Sequence, residues 1–238
     1  MSDTSTAIKG LCFDKDGTLF DFAATWEAWA KAFLLRAAQG SQARAAAMGA
    51  QIGFDYEAGY FESTSLVIAG TAGEIADALA GQFPDLHRQD VLAMINEEAG
   101  RAPQIEAAPL VPLLGELRAR GLALGVATND SEAPARGHLE AARVTALFDF
   151  IAGYDSGFGG KPDAGQLLAF AKAVALPPAQ IAMVGDSTHD LRAGRAAGMR
   201  TIAVLTGMAK AEVLAPLADV VLRDIGEIPA WLDTQSAT

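Results

Sequence analysis

The chain has 238 residues, which predicts one core domain with room for an inserted module, because domains usually contain about 100–200 residues. It carries 18 Lys and Arg against 29 Asp and Glu, and this net charge of −11 argues against nucleic acids and anionic membranes as partners. Hydrophobic residues make up 51%, too many for a disordered chain, and the single Cys12 excludes an intramolecular disulfide. No apolar run reaches the roughly 18–20 residues of a membrane span, and residues 1–10 lack the layout of a signal peptide, so we expect a globular cytoplasmic protein.

Five short apolar runs, several of them β-branched, predict buried strands of a parallel sheet. These runs are residues 8–13, 122–127, 148–152, 181–184 and 201–205. Helical patterns alternate with them at residues 109–120, 132–143, 162–175 and 190–198. Strands and helices that alternate with short links predict right-handed βαβ units, and so an α/β fold built on an open parallel sheet.

Residues 21–103 break this alternation, because they contain helical patterns and no convincing strand. Aromatic residues recur at helical spacing from Phe22 to Phe33, and a capping box formed by Thr71 and Glu74 precedes a helical stretch over 74–82. The segment holds 5 basic and 11 acidic residues, a net charge of −6, so it is not a basic binding surface. We therefore predict a core domain of residues 1–20 and 104–238 that is interrupted by a helical module of residues 21–103.

The sharpest chemical signal is the run FDKDGTL at residues 13–19, where the first predicted strand ends. Asp14 and Asp16 are two residues apart, so their carboxylates point the same way, because side chains alternate along a strand. The carboxyl edge of an open α/β sheet is where ligands bind, and two close carboxylates repel each other unless a cation or a shared proton relieves them. Gly17 then permits a sharp turn. A strand that ends in an Asx turn would also explain these residues.

Three further strand ends carry polar residues of a complementary kind. Asp186 follows the fourth strand and Asp190 lies one turn later; their oxygens suit Mg²⁺, although Asp190 also fits a helix capping box. Thr128 and Asn129 follow the second strand and offer a hydroxyl and backbone N–H groups to an anion. Lys161 precedes a helix and offers a positive charge to a phosphate or to the carboxylates. Thr128 alone is usually a strand-end cap and Lys161 alone a solvated lysine, whereas Asp186 has no such explanation. Together these residues favour phosphoryl chemistry.

In content and order, these four motifs resemble those of the haloacid dehalogenase superfamily of phosphohydrolases, over residues 11 to about 221. The resemblance implies a Rossmann-like open parallel sheet with helices on both faces, and the insert resembles the all-α C1 cap of that superfamily. The likeness is greatest to phosphoglycolate phosphatase-like members. Two positions depart from the usual pattern: Lys15 replaces an apolar residue, and Phe22 replaces a small one. These departures bear on the substrate rather than on the chemistry.

The resemblance implies an Mg²⁺-dependent phosphatase that hydrolyses a small phosphorylated metabolite through an aspartyl-phosphate intermediate. Asp14 would be the nucleophile, and Asp16 would protonate the leaving oxygen and then act as the base on water. The metal ligands would be Asp14, the carbonyl of Asp16 and Asp186.

The resemblance also assigns the residues around the phosphate. Thr128, Asn129 and Lys161 would hold its non-bridging oxygens, with Thr128 and Lys161 among the catalytic residues. Asp190 would support the metal ligands or orient Lys161. The expected partner is a small phosphate ester, and the expected assembly is a monomer or a homodimer.

Three alternatives stay open. A phosphosugar mutase of the same superfamily also needs Asp14 and Asp16, and it differs mainly in the contacts of its cap. A haloacid dehalogenase has no leaving-group proton to supply, so Asp16 weighs against it. A non-catalytic binding protein would usually have lost a motif residue, and none is missing. The physiological substrate is not set by these motifs, although Arg36, Arg44 and Arg101 are candidates to meet a substrate carboxylate.

Overall fold

The computed structural model describes residues 7–235, so residues 1–6, part of the start compared with signal peptides, and residues 236–238 lie outside the described residues. The strands are β1 (Gly10–Phe13), β2 (Phe54–Asp55), β3 (Tyr60–Phe61), β4 (Ala123–Ala127), β5 (Phe150–Ala152), β6 (Ile181–Gly185), β7 (Arg200–Val204) and β8 (Val220–Leu222). The helices are α1 (Phe22–Ala37), α2 (Gln42–Gln51), α3 (Ala72–Ala78), α4 (Arg88–Ala99), α5 (Leu110–Ala119), α6 (Glu132–Ala141), α7 (Gly165–Ala173), α8 (Thr188–Ala197), α9 (Ala211–Leu214) and α10 (Ile228–Gln235). Within residues 7–235, no helix is both long enough and apolar enough to cross a membrane.

A six-stranded parallel sheet forms the centre of the fold, in the order β5-β4-β1-β6-β7-β8. In β1, the central strand, Cys12 lies in register with Gly125 of β4 and Met183 of β6. The chain passes from β1 to β4 and β5 on one side, and then to β6, β7 and β8 on the other. This reversal beside β1 opens a crevice at the carboxyl ends of the central strands, which is where open α/β sheets bind ligands.

Both faces of the sheet are buried, as the two-sided apolar strands predict. Leu11 and Phe13 of β1 join a hydrophobic cluster with residues of α5, α6 and α10. Cys12 points the other way and packs with residues of α7 and α8. Helices therefore cover both faces, and the predicted α/β fold is confirmed. The buried Cys12 thiol has its pKa raised to about 12 by burial, which makes it an inert core residue.

The ends of the five predicted strands agree with the structure to within two residues. β8 was not predicted, because its apolar run, residues 220–222, is only three residues long between Asp219 and Arg223. The first three predicted core helices are shorter in the structure, and the fourth begins two residues earlier, at Thr188.

The segment between β1 and α5 has a hydrophobic cluster of its own. The aromatic residues at helical spacing lie on the buried face of α1, and they are Phe22, Trp26, Trp29 and Phe33. The capping box of Thr71 and Glu74 is confirmed, and it starts α3 at Ala72 rather than at residue 74. The segment is mainly helical, with one addition that the sequence did not predict: β2 and β3 form a short antiparallel hairpin. A separate cap domain of residues 21–103 stays a prediction, which the separate cluster favours.

Leu124 in β4 tests the assignment of the sheet core, because its side chain is completely buried. We expect Leu124→Ala to lower the free energy of unfolding by about 2–5 kcal/mol, since it leaves a cavity in a packed core. The control is Leu168→Ala on α7, where the side chain is 45% exposed and the expected change is below about 0.5 kcal/mol. Urea denaturation of both variants measures the difference, and equal losses would contradict the placement of β4.

Candidate active site

The loop after β1 places Asp14 at the carboxyl edge of the sheet. The Asp14 N–H donates to the Val184 carbonyl at 2.8 Å, so pairing with β6 continues one residue beyond β1. The chain then turns at Gly17, where φ is +80° and a Cβ would lie 2.5 Å from the Asp186 carboxylate. Glycine is required at this position by both its backbone conformation and the close approach of Asp186.

Three carboxylates meet at this edge, and a single lysine lies among them. Asp14, Asp186 and Asp190 each place a carboxylate oxygen within 4.8 Å of the others, and all three are buried. The Lys161 Nζ lies 2.6 Å from Asp14 Oδ1 and 2.7 Å from Asp190 Oδ1. The structure therefore brings together four residues that the sequence analysis took from three different strand ends.

The electrostatics of this cluster are dominated by burial. Burial, opposed by Lys161 and reinforced by Asp190, raises the pKa of Asp14 to about 7. Burial and the charges of Asp190 and Asp14 raise the pKa of Asp186 well above its usual range. Burial alone would lower the pKa of Lys161, but the attraction of Asp14 and Asp190 raises it. Three carboxylates against one ammonium leave two negative charges when ionised, so an oxygen-only donor set of this kind fits a hard divalent cation such as Mg²⁺.

Asp190 does two things at once. Its Oδ2 accepts from the Ser187 N–H at 3.0 Å and from the Ser187 hydroxyl at 2.6 Å, which confirms the capping box of α8. Its Oδ1 faces Lys161. The backbone of Gly185 packs directly against the Asp190 side chain, so a larger residue would displace it. The geometry therefore favours the prediction that Asp190 orients Lys161.

The second strand end supplies Thr128 and Asn129. Thr128 is buried beside the carboxylates, and its hydroxyl accepts from the backbone N–H of residue 130 at 3.0 Å. The Asn129 Oδ1 accepts from the Lys161 N–H at 2.8 Å, and its Nδ2 donates to the Lys161 carbonyl at 2.9 Å. Nδ2 also donates to the carbonyl of Ala69 in the helical insert at 2.8 Å. The Asn129 side chain therefore positions the backbone of Lys161 and ties it to the insert.

A second buried ion cluster surrounds Lys15, which is completely buried. Its Nζ lies 2.7 Å from Asp16 Oδ1, 3.3 Å from Asp130 Oδ2 and 3.0 Å from His138 Nδ1. The carboxylate of Asp16 is therefore held by Lys15 and lies outside the group formed by Asp14 and the two later aspartates. No sequence pattern pointed to His138 or Asp130; the only signal was the lysine at a position that is usually apolar.

The contacts of His138 fix its protonation state. Burial and the Lys15 charge lower the pKa of His138 to about 4, so the ring is neutral at neutral pH. With the Lys15 ammonium donating to Nδ1, the His138 Nε2–H donates to the carbonyl of Ala99, where α4 ends, at 2.8 Å.

The Lys15 Nζ also lies 5.7 Å from the centre of the Trp26 ring on α1. Burial raises the pKa of Asp130 to about 6, although Lys15 opposes the shift.

A cavity lies between the edge of the sheet and the helical insert. Six of the seven predicted site residues line it, and they are Asp14, Asp16, Thr128, Asn129, Lys161 and Asp190. The seventh, Asp186, is 4% exposed and packs against Gly17 and Gly207. The arrangement can hold an anion over the Asp14 carboxylate, with Lys161 and the Thr128 hydroxyl lining the same cavity.

Comparisons with known proteins agree on the class of protein. The sequence model of the haloacid dehalogenase-like hydrolases matches residues 8–198. The phosphoglycolate phosphatase of Rhodospirillum rubrum is 35% identical over 120 residues, which is 50% of this chain and 50% of that protein. The chain thus spans about half the length of the phosphoglycolate phosphatases that it matches. The protein named "Probable phosphatase IndB" from Dickeya dadantii is 32% identical over 198 residues, 82% of this chain and 80% of that protein.

Solved structures show the same fold. The crystal structure of CbbY from Rhodobacter sphaeroides in complex with phosphate has a TM-score of 0.69 with this chain. The match covers 95% of this chain and 99% of that one at 22% identity. At this identity it shows a shared fold and does not bear on activity.

Lys15 provides a test of the second ion cluster. We expect Lys15→Met to lower the free energy of unfolding by about 3–5 kcal/mol, because it leaves Asp130 buried without its cation. The double variant Lys15→Met, Asp130→Asn should recover at least about 1 kcal/mol, since the buried negative charge is then removed. The control is Lys172→Met at an exposed position of α7, with an expected change below about 0.5 kcal/mol. Denaturant titrations of the wild type and the three variants measure these differences, and a double variant no more stable than Lys15→Met would contradict the pairing.

Proposed function

Because the chain belongs to the haloacid dehalogenase-like hydrolases, we propose that it is a phosphomonoester hydrolase that acts on a small phosphorylated metabolite through an aspartyl-phosphate intermediate. The observation that carries this proposal is the contact of 2.6 Å between Asp14 and Lys161 on the floor of a cavity. A carboxylate at this position can attack phosphorus, and the adjacent ammonium can hold the oxygens of the phosphate. The relatives named as phosphatases support the same reaction, and phosphoglycolate is the substrate that their names suggest.

In the first step, an Asp14 oxygen attacks phosphorus in line with the ester oxygen. The new bond is an acyl phosphate on Asp14, and the bond from phosphorus to the leaving oxygen breaks with its electron pair on that oxygen. Lys161, held by Asp190, balances the charge on the non-bridging oxygens. The Thr128 hydroxyl, which lines the same wall, donates to another of these oxygens.

Asp16 serves both steps as the proton carrier. Its carboxyl lines the cavity and is held by Lys15. It protonates the leaving oxygen and then takes a proton from the water that attacks the acyl phosphate. Cleavage of that intermediate releases phosphate and regenerates the Asp14 carboxylate.

The donor set described above fits Mg²⁺, with Asp14, the Asp16 carbonyl and Asp186 as the proposed ligands. When bound, the metal supplies the positive charge that lets an anionic nucleophile approach an anionic phosphate. Asp190 stays outside this ligand set in our proposal, because its two oxygens are engaged by Ser187 and Lys161.

The helical segment of residues 21–103 is the proposed cap. It supplies one wall of the cavity and contacts the core through the hydrogen bond between Asn129 and Ala69. Movement of this segment would admit the substrate and then exclude water. A phosphosugar mutase would use the same floor, and it would appear as conversion of a β-sugar phosphate without net release of phosphate.

The role of Asp14 is tested by Asp14→Asn. We expect kcat to fall by at least about 1000-fold, because the amide cannot form the acyl phosphate. The control is Asp85→Asn at an exposed position, which should keep wild-type turnover. Release of phosphate from p-nitrophenyl phosphate and phosphoglycolate measures activity, and circular dichroism checks the fold. Wild-type turnover by Asp14→Asn would remove the nucleophile assignment.

Metal binding is tested without reference to turnover. At an Mg²⁺ concentration about 100-fold above its Kd, the ion should stabilise the wild-type protein by about 2.7 kcal/mol and raise its Tm by several degrees. Asp186→Asn should lose most of this shift, yet the metal-free variant should be at least as stable as the metal-free wild type, because the mutual repulsion of buried carboxylates is relieved. Thermal unfolding with EDTA or MgCl₂ measures both effects. An equal Mg²⁺ shift in Asp186→Asn would exclude this residue as a ligand.

A further inference from the structure

The two walls of the cavity above Asp14 differ in chemistry. The wall on the sheet side is polar, and its residues are Asp14, Asp16, Thr128, Asn129, Asp130, Lys161, Ser187, His189 and Asp190. The wall on the side of the insert is apolar: beyond the small residues at 69, 70 and 72, its side chains are Phe22, Trp26, Val67, Ile68, Ile75 and Ile95. None of these side chains is charged. The phosphate of a substrate lies against the polar wall, so its leaving group faces the apolar one.

The basic residues of the insert contact groups that lie outside the cavity. Arg36 pairs with Glu98 at 2.7 Å and with Glu97 at 2.7 Å. Arg101 pairs with the same Glu98 at 3.0 Å. Two of the three arginines that the sequence analysis offered to a substrate carboxylate are therefore held in one ion-pair network outside the cavity.

The other three cations of the insert also lie away from the cavity. Arg44 donates to the Gln82 carbonyl at 2.7 Å, and Arg88 pairs with Asp77 at 2.6 Å. Lys31 packs its Nζ against Gly59. Throughout the part of the chain that the structure describes, none of the five basic residues of the insert lines the cavity.

The two buried lysines of the core are also engaged. Lys161 is held between Asp14 and Asp190 and is needed for the phosphate. Lys15 is completely buried against Asp16 and Asp130. A carboxylate on the leaving group would thus face apolar side chains in a cavity that is also lined by four aspartates, Asp14, Asp16, Asp130 and Asp190. These outnumber the two lining side chains that can carry positive charge, Lys161 and His189. Transfer of an ionised carboxylate from water to such surroundings is strongly unfavourable without a paired cation.

Trp26 adds one polar feature to the apolar wall. Its ring lines the cavity and is 8% exposed, and its indole N–H has no hydrogen-bond acceptor among the described residues. Buried donors are almost always paired, so an unpaired one beside a ligand cavity points to an acceptor on the ligand. One N–H satisfies one neutral oxygen; it does not replace a cation, and it does not satisfy the several hydroxyls of a sugar.

We propose that the leaving group of the substrate is small, uncharged and mainly apolar, with one hydrogen-bond acceptor for Trp26. This inference rests on the proposed phosphatase function. It assigns the chain a different substrate from the one in the names of its phosphoglycolate phosphatase relatives, and the same reaction. The core recognises the phosphate, and the insert selects against a charged leaving group.

A matched pair of esters tests the inference. Phosphoglycolate and its carboxamide have nearly the same size and differ in the charge of the leaving group. We expect kcat/KM to be at least about tenfold higher for the carboxamide. Equal values, or a preference for phosphoglycolate, would overturn the inference while the phosphatase function stood. Hydrolysis of p-nitrophenyl phosphate is measured beside them; if the folded protein releases phosphate from none of the three, the proposed function fails and the inference fails with it.

Two variants of the apolar wall sharpen the test. Ile68 lines the cavity and is only partly buried, so Ile68→Lys can add a cation without disrupting the core. It should raise kcat/KM for phosphoglycolate relative to the carboxamide by about tenfold, whereas Ile68→Met, which matches lysine in length without the charge, should not. An unchanged ratio in Ile68→Lys would show that this wall does not select against charge.

The second variant, Trp26→Phe, removes the N–H and keeps an aromatic ring. It should lower kcat/KM for the carboxamide several-fold and leave that for n-propyl phosphate, which has no second acceptor, nearly unchanged. Equal losses on both esters would overturn the role of the indole N–H. Circular dichroism and the Tm of each variant confirm that the comparison is between folded proteins.

Discussion

The site depends on the ion pairs of one buried lysine. Asp14, Asp186 and Asp190 lie within 4.8 Å of one another, where burial penalises every ionised carboxylate, and Lys161 is the cation that contacts two of them. Such a concentration of charge is unfavourable for folding, and the surrounding structure has to hold it in place. The sheet does so, because β1 and β6 are paired in register and buried on both faces up to the residue before the carboxylates.

The second buried lysine, Lys15, pairs with different carboxylates from those that Lys161 contacts. Lys15 engages Asp16 and Asp130, so the carboxyl assigned to proton transfer has its own cation and does not compete for Lys161. The same lysine lies near the Trp26 ring, and its partner His138 reaches the end of α4. The ion cluster of Lys15 therefore also links the sheet edge to the insert. Its three polar partners, Asp16, Asp130 and His138, explain why a fully buried lysine is tolerated next to Asp14.

Much of this arrangement follows from the sequence, because strands in a parallel sheet end at one edge. That rule alone placed Asp14, Thr128, Lys161 and Asp186 together, and the structure agrees. What the sequence did not predict arises from contacts that no local pattern encodes. His138 lies 123 residues from Lys15 in the chain and meets it only through the packing of α6 on the sheet. The hairpin of β2 and β3 has strands of two residues, too short to leave a period.

The separation of the two walls explains why family membership predicts the reaction better than the substrate. Six of the seven motif residues belong to the polar wall, which any phosphate ester would meet in the same way, and Asp186 lies behind it against Gly17 and Gly207. The wall that meets the leaving group is built from α1, α3, α4 and the turn before α3. It includes Phe22 of α1, which departs from the usual motif. Under the proposed function, changes there would alter selectivity without touching the ion pairs of Asp14. Relatives that share the polar wall can therefore share a mechanism and still act on different esters.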